Sequence, residues 1–292
     1  MKFTSTGKFD FFNIVNTMIM LAIIFITLYP MYNIFIISIS GSFHVMRGDV
    51  TFYPKQINFD AYKLVFKRQD FLQAYINTLI YTITGVIIQL LCTVLCAYPL
   101  SRQDFFGRRF FNFFIIFTMF VSGGMIPMYL LIYNLKLLNS IWAIVLPPAI
   151  STYNMLIMRT SFSGIPQSLT ESAYMDGAND VYILRRIIIP LSKPVISTMV
   201  LFYSVGHWNG FFPAMIYLRD ESKYPVQLLL RSILIQGNVG VDTSNSMLID
   251  SLAVAVNFKY AMIIITVVPI LCVYPFIQKY FTKGVMIGAI KG

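Results

Sequence analysis

Apolar runs long enough to cross a lipid bilayer recur along most of this sequence, and they constrain its fold more than any other feature. A helix needs about 20 mainly apolar residues to span the hydrocarbon core of a membrane. Of the 292 residues, 57% are apolar and only 12% are charged, against about 25% charged residues in an average soluble domain. So much apolar surface cannot be hidden in one soluble core. The sequence therefore predicts an all-α, polytopic membrane protein built as one domain.

Hydropathy predicts six membrane-spanning helices in this chain. We expect them at Asn13–Ser40, Phe71–Leu100, Phe110–Tyr133, Ile141–Phe162, Pro194–Leu218 and Tyr260–Phe281. The transmembrane domain is then 13–281, between an N-terminal segment 1–12 and a tail 282–292, and the connection 163–193 joins the fourth and fifth helices. An even number of crossings places both termini on the same side of the membrane.

Basic residues set the predicted orientation. The short connection "SRQDFFGRR" carries three arginines, and short loops rich in Lys and Arg stay in the cytoplasm. This predicts a multi-pass protein of the inner (cytoplasmic) membrane, with both termini and the connection 163–193 in the cytoplasm. The basic residues behind the net charge of +10 flank the apolar runs, where they contact anionic lipid. Membrane lipid, and not nucleic acid, is the expected partner.

The sequence offers little catalytic chemistry. It has only two histidines, His44 and His207, which are far apart, and its three cysteines lie inside apolar runs, where a thiol behaves as a small hydrophobe. Neither group has the spacing of a metal site, and the chain lacks the phosphate-binding loop G-x-x-x-x-G-K-[ST]. We therefore predict no metal ligand, no cofactor in this chain and no enzymatic activity of its own.

The connection "SFSGIPQSLTESAYMDGANDVYILRRIIIPLSKP" is too regular for an unstructured linker. Pro166 suits a first helical turn, and Ser168 with Glu171 fits a capping box. Gly177 is expected to end this first short helix, because glycine readily takes the left-handed conformation at a helix exit.

A second short helix should follow. Asn179 or Asp180 suits its N-terminus, Val181, Leu184 and Ile188 would form its apolar stripe, and Pro190 should stop it after Ile189. Such a pair of helices either lies in the lipid interface or docks onto another protein. The residues alone favour neither alternative.

The pattern of this connection resembles the EAA loop of permease subunits of binding-protein-dependent ABC importers. The matching residues are Glu171, Ala173, Asp176, Gly177 and Ala178, followed by "IIIPLSKP", and Ser172 stands where that family has the first alanine of its Glu-Ala-Ala pattern. Longer stretches, such as "GHWNGFFPAMIYL" and the ending "GVMIGAIKG", are similar to the carbohydrate-uptake branch of these importers, and within it to permeases for complex oligosaccharides.

The resemblance implies the type I permease fold of ABC importers, with paired coupling helices that dock onto a cytoplasmic ATPase. The implied contact residues are Glu171, Ser172, Ala173, Asp176, Gly177 and Ala178, and Lys291 and Gly292 of the tail are further candidates. The implied partners are a second, homologous permease, two ATPase subunits that bind ATP and Mg²⁺, an extracytoplasmic solute-binding protein and an oligosaccharide. The connection would thus transmit motion of the ATPase subunits to the transmembrane helices, and it would not be a catalytic site.

Polar residues inside the predicted spans are candidates for the substrate path, because burying them in lipid is costly. We single out Asn77, Asn154, His207, Trp208 and Asn209. An indole next to amide and imidazole groups suits a sugar, which has both apolar faces and hydroxyl groups. Helix-to-helix hydrogen bonding is the alternative role for such residues.

Two other functions compete with oligosaccharide import. The same architecture serves other solutes, such as a peptide, a polyamine or an osmolyte. An ion-coupled secondary transporter would need charged residues in the middle of its spans, whereas nearly every charge here lies at a span end or in a loop. That transporter is therefore disfavoured.

Overall fold

The computed structural model describes residues 11–236 and 256–272, and within them every regular element is a helix. In chain order the helices are α1 (Phe11–Ser38), α2 (Ser42–Met46), α3 (Asp60–Lys67), α4 (Gln69–Ser101), α5 (Arg108–Phe120), α6 (Met125–Asn134), α7 (Trp142–Val145), α8 (Thr152–Ser163), α9 (Gln167–Met175), α10 (Asp180–Ile183), α11 (Ile189–Leu191), α12 (Lys193–Trp208), α13 (Phe212–Tyr217), α14 (Val226–Gln236) and α15 (Val256–Cys272). A π-helical segment, Leu184–Ile188, joins α10 to α11. The predicted all-α class is confirmed.

The chain divides into two compact units, which we call the N-terminal unit and the central unit. The described part of the N-terminal unit is 11–68, 233–236 and 256–266, and that of the central unit is 69–232 and 267–272. In the N-terminal unit, the Asn257 side chain donates a hydrogen bond to the Ser40 carbonyl, at 2.5 Å, and the Arg68 guanidinium lies over the Phe258 ring, at 5.4 Å. These contacts join residues about 200 positions apart in the sequence into one unit.

The central unit is built around α4, a 33-residue helix. It packs against α8 and α12, and its core includes the buried side chains Ala97, Met155, Met158, Ile183 and Met199. A hydrogen bond of 2.6 Å between the hydroxyl groups of Thr93 and Tyr203 links α4 to α12 inside this core. A polar pair between apolar helices fixes how they face each other, because an unpaired hydroxyl would be costly there.

Two of the predicted spans are confirmed as long apolar helices. These are α1 and α4, the described helices that are long and apolar enough to cross a membrane unbroken. Most large apolar side chains of α1 are exposed, as expected of a helix that faces lipid. The predicted sixth span begins earlier than expected, at Val256, and its predicted end at Phe281 lies outside the described residues.

The third predicted span is wrong as a single helix. Its two halves, α5 and α6, meet at an angle of 112°. They are separated by the segment 121–124, where Gly124 has φ 83° and ψ 177°, a conformation that only glycine adopts readily. Hydropathy detects the apolar run, but it does not report this break, which depends on backbone conformation.

The fourth and fifth predicted spans are also interrupted. Pro147 and Pro148 follow α7 and precede α8, and proline removes a backbone donor and blocks the preceding helical turn. The fifth span begins at Lys193, close to the prediction, but α12 ends at Trp208 and a separate helix, α13, follows. The tail 282–292, with Lys291 and Gly292, lies outside the described residues.

Candidate functional site

Two features of the central unit bear on function: the helical connection 163–193, and a cavity inside the helix bundle. The connection lies at the C-terminal end of α4, and its buried residues Ala173 and Ile183 belong to the same core as Ala97 and Tyr98 of that helix. The cavity is lined by Tyr81 and Gln89 from the middle of α4, together with residues of other elements. One long helix therefore runs past both features.

Gly177 ends the first short helix, as predicted. Its φ is +81°, the Gly177 amide donates to the Tyr174 carbonyl at 2.9 Å, and the Ala178 amide donates to the Ala173 carbonyl, also at 2.9 Å. This pair of bonds is the Schellman motif, which requires a left-handed residue after the helix. The hinge between the two short helices is therefore a defined turn.

The predicted capping box at the start of this helix is wrong. Helix α9 begins at Gln167, its N-cap position is Pro166, and no side chain caps it. Ser168 is consequently already inside the first turn, where its hydroxyl cannot take the N-cap geometry that a capping box requires. Glu171 is left free of this intramolecular role, and its side chain is exposed.

The second helix starts as predicted and ends later than predicted. The Asn179 side chain accepts a hydrogen bond from the Tyr182 amide, at 2.9 Å, which is a standard N-cap. The helix nevertheless continues through Pro190 to Leu191. It widens into a π-helical segment, in which the Ile189 amide donates to the Leu184 carbonyl, five residues back. This wider turn accommodates the proline ring, which would clash in a regular α-helix.

The six residues predicted to contact an ATPase divide into two groups. Glu171, Ser172, Asp176 and Gly177 are exposed, whereas Ala173 is buried and Ala178 is half-buried against the core. The two alanines thus pack the connection against the core of the central unit, because a small side chain allows close packing there. In the isolated chain, only the first group is exposed and could contact a partner protein.

Exposed apolar side chains lie beside these polar residues, and sequence reasoning missed them. Met175 is 88% exposed and Val181 is 62% exposed. Val181 was expected in the buried stripe with Leu184 and Ile188, of which only the latter two are buried. The connection therefore presents carboxylates and apolar groups together, as a surface that binds another protein does.

A polar network joins both short helices to α4. One carboxylate oxygen of Asp180 accepts hydrogen bonds from the Tyr174 hydroxyl, at 2.5 Å, and from the Tyr98 hydroxyl, at 3.1 Å. The Arg102 guanidinium lies over the Tyr174 ring, at 5.1 Å, and pairs with both oxygens of Asp104, at 3.1 and 3.2 Å. Partial burial, and next the hydrogen bond to Asp180, raise the pKa of Tyr174. The sequence analysis placed Asp180 only as a candidate for the start of the second short helix.

The interior cavity has a volume of about 400 Å³. Hydrogen-bonding side chains line it together with aromatic rings: Tyr81, Gln89, Ser151, Asn154, Tyr203 and His207. Gln89 donates to the Pro148 carbonyl, at 2.6 Å, and its oxygen lies 3.1 Å from Nε2 of His207. Two predicted path residues, Asn154 and His207, are therefore brought together here. Gln89 was visible in the sequence as a polar residue inside a span.

The other three predicted path residues lie elsewhere. Trp208 is buried, with its indole edge-on to the Tyr75 ring at 5.5 Å. The Asn77 amide donates to the carbonyls of Ser222, at 2.7 Å, and Tyr224, at 3.1 Å. Asn209 is exposed. None of the three lines the cavity, and Asn77 and Trp208 pack the protein against itself. The side chains of Asn77 and Trp208 already contact neighbouring residues within the fold.

An all-helical chain with bilayer-length apolar helices, a polar interior cavity and an exposed helical connection has the features of a membrane permease. The chain belongs to the family described as binding-protein-dependent transport system inner membrane component, whose family model matches residues 4–287.

Named relatives and a solved structure agree with this family. The chain is 39% identical over 285 residues to Protein LplC of Bacillus subtilis (strain 168), covering 96% of this chain and 95% of the relative. It is 41% identical over 239 residues to the polygalacturonan/rhamnogalacturonan transport system permease protein YtcP of the same strain, covering 82% and 84%. The fold is similar, with TM-score 0.88 and 38% identity over 92% of this chain and 96% of the other, to a chain in the crystal structure of a bacterial ABC transporter involved in the import of the acidic polysaccharide alginate.

Proposed function

We propose that this chain is one transmembrane half of an ATP-driven importer that carries oligosaccharides across the cytoplasmic membrane. The main support is the interior cavity, which is lined by uncharged hydrogen-bonding groups and by aromatic rings. Such a lining matches the hydroxyl groups and apolar faces of a sugar. The names of the relatives, which include a polygalacturonan/rhamnogalacturonan permease, point to the same class of substrate.

The proposed topology has six crossings with both termini in the cytoplasm. It requires the fourth and fifth predicted spans to cross as interrupted helices, and Pro148, Ser151 and Gly210 at their breaks line the cavity. Irregular backbone is tolerated at membrane depth only where it is buried in protein or lines a water-filled cavity. The interrupted helices therefore suit a transport path better than they suit a lipid-facing surface.

The connection 163–193 is proposed to be the coupling element. Glu171, Asp176 and Met175 are exposed on it, so a basic and partly apolar cleft on an ATPase would receive both kinds of group. ATP and Mg²⁺ would be bound by two separate ATPase subunits, and Lys291 and Gly292 of the tail would add a second contact. In ATP-driven coupling, the connection 163–193 would transmit force and would carry out no ATP chemistry.

Alternating access would then follow from closure of the ATPases. A rigid-body motion of the coupling element would tilt the helices around the cavity, open it outward and let it receive sugar from an extracytoplasmic solute-binding protein. A second permease subunit would complete the path. Within this chain, Asn154 and His207 are the proposed sugar contacts, and Trp208 with Asn209 stay predictions for the outer end of α12.

Reconstituted transport tests this proposal. The chain, its partner permease and the ATPases are placed in liposomes with the solute-binding protein outside, and uptake of labelled oligosaccharide is measured with ATP inside. We expect uptake to require ATP and to survive an ionophore. Uptake that persists without ATP and collapses with the ionophore would mean an ion-coupled transporter. Uptake of a peptide, polyamine or osmolyte in place of sugar would assign a different substrate class.

A further inference from the structure

A single carboxylate oxygen connects three helices at the end of the bundle that carries the connection 163–193. We propose that Asp180 is a positioning residue that fixes the two short helices of the connection to each other and to α4, so that motion of the connection reaches the cavity. We call Asp180, Tyr98 and Tyr174 the Asp180 junction. This inference rests on the proposed function, because it assigns a role within coupling.

The geometry of the junction supplies the first reason. Tyr174 lies in the last turn of α9, Asp180 is the first residue of α10, and Tyr98 lies in the last turn of α4. The distances from the carboxylate oxygen to the two hydroxyl groups are 2.5 and 3.1 Å. A charged acceptor makes stronger hydrogen bonds than a neutral one. All three elements are therefore held at one point.

The backbone between the two short helices supplies the second reason. Only residues 176–179 join α9 to α10, and Gly177 in that turn has open space where a Cβ would be. A glycine hinge absorbs rotation easily, because its backbone has the widest conformational freedom. A push on α9 would bend the hinge unless another contact spans it. The bond from Tyr174 to Asp180 is such a contact.

The surroundings of Tyr174 hold its ring in place. The Arg102 guanidinium stacks on the ring at 5.1 Å, and the paired oxygens of Asp104 hold the guanidinium. Arg102 and Asp104 follow directly after α4, so Tyr174 is fixed to α4 on one side and to Asp180 on the other. The cleft between these groups, of about 430 Å³, also reaches Glu171. Force applied at Glu171 would therefore move α9 as a rigid element, because Tyr174 in the same helix is held on both sides.

Helix α4 carries the motion onward. Tyr98 in the junction and Gln89 at the cavity are nine residues apart on one unbroken helix, which is roughly 14 Å along the axis at 1.5 Å per residue. Gln89 contacts both His207 and the Pro148 carbonyl. A displacement of the end of α4 therefore changes the cavity wall without any intermediate flexible segment.

The test measures sugar taken up per ATP hydrolysed by the assembled complex in liposomes. The variants Tyr98→Phe and Asp180→Ala should bind the ATPases and hydrolyse ATP as the wild type does. Their uptake per ATP should fall about tenfold or more, which is the change in equilibrium expected when one hydrogen bond to a charged group is lost. Asp180→Asn keeps an acceptor oxygen and should recover part of the loss.

Tyr153→Phe is the matched control, since it removes a hydroxyl from an exposed tyrosine of α8 that lies outside the junction. It should leave uptake per ATP unchanged. A second measurement uses spin labels at Ser168 and Val181, on either side of Gly177, in a background with all three cysteines replaced. We expect the distance distribution between the labels to broaden in Asp180→Ala and to stay narrow in the control.

Two outcomes would overturn the role of Asp180. One is wild-type uptake per ATP in both Tyr98→Phe and Asp180→Ala. The other is loss of ATPase binding and ATP hydrolysis together with uptake, at an unchanged label distance, because that pattern means general support of the fold. Failure of the proposed function would look different, since the wild-type complex itself would then show no ATP-dependent uptake of sugar.

Discussion

The imidazole ring of His207 lies directly against Gly85, at a point where α4 and α12 cross with no α4 side chain between them. A Cβ built on Gly85 would overlap the ring atoms. The ring nitrogen Nε2 lies 3.1 Å from the Gln89 side-chain oxygen, one turn further along α4. Small residues at helix crossings in membranes allow such close approach. The position of the cavity wall depends on this close approach of α4 and α12.

Gly85→Ala should therefore destabilise the bundle. The added methyl group forces His207 away from α4, and overpacking of this kind costs about 1–3 kcal/mol. Thermal unfolding of the purified protein in detergent measures the loss. Gly85→Ala combined with His207→Ala should recover most of it, because the ring is then absent. Gly206→Ala is the control, since a Cβ there meets nothing within 4 Å. Equal stability of Gly85→Ala and wild type would refute the packing described.

Asn77 holds the segment 222–224 against α4. Its amide donates to two backbone carbonyls, of Ser222 and Tyr224. In Asn77→Ala both bonds are lost, at about 1 kcal/mol each, and we expect the segment to exchange its amide hydrogens faster. Hydrogen exchange read by mass spectrometry measures this. Gln73→Ala removes only the exposed partner of the Asn77 oxygen and should change exchange far less. Identical rates in both variants would contradict this anchoring role.

Gly177→Val should weaken the interaction with the ATPases without blocking membrane insertion. At φ +81° a β-branched residue is strained, at a cost of about 1–2 kcal/mol, and the turn between α9 and α10 would change direction. Co-purification of the ATPases with this chain is the measurement. Gly177→Asn is the matched variant, because asparagine tolerates the left-handed region. It should retain the ATPases. Full retention by the valine variant as well would argue against a defined turn as the docking element.

Among the cavity residues, Asn154 is the one whose replacement should reduce sugar uptake most directly. It is 9% exposed and lines the cavity with Tyr203 and Gln89. Asn154→Leu keeps a similar volume but removes the amide, so we expect uptake to fall about tenfold, as loss of 1.4 kcal/mol of sugar interaction would give. ATPase binding should be unchanged. Thr160→Val, at an exposed position of the same helix, should transport normally. Wild-type uptake in Asn154→Leu would remove this residue from the path.

Local sequence signals were sufficient for several details of the connection 163–193. Gly177 ends a helix and Asn179 caps the next one because both effects depend on the conformation of one or two residues. The same local rules failed at Pro190, because a π-helical segment, Leu184–Ile188, precedes it and the helix continues to Leu191. They also failed at Ser168, because the N-cap position is Pro166, two residues earlier than the capping box requires. A shift of two residues changes every cap assignment.

The sequence by itself determined that this is an all-helical membrane protein with a hinged helical connection, because hydropathy and turn-forming residues act over short distances. Only the tertiary structure decided which polar residues share the cavity, why Ala173 and Ala178 face inward, and where Asp180 finds its partners. Tyr98 and Asp180 are 82 residues apart. No periodic pattern encodes such a contact, because it forms only when separate helices pack around α4.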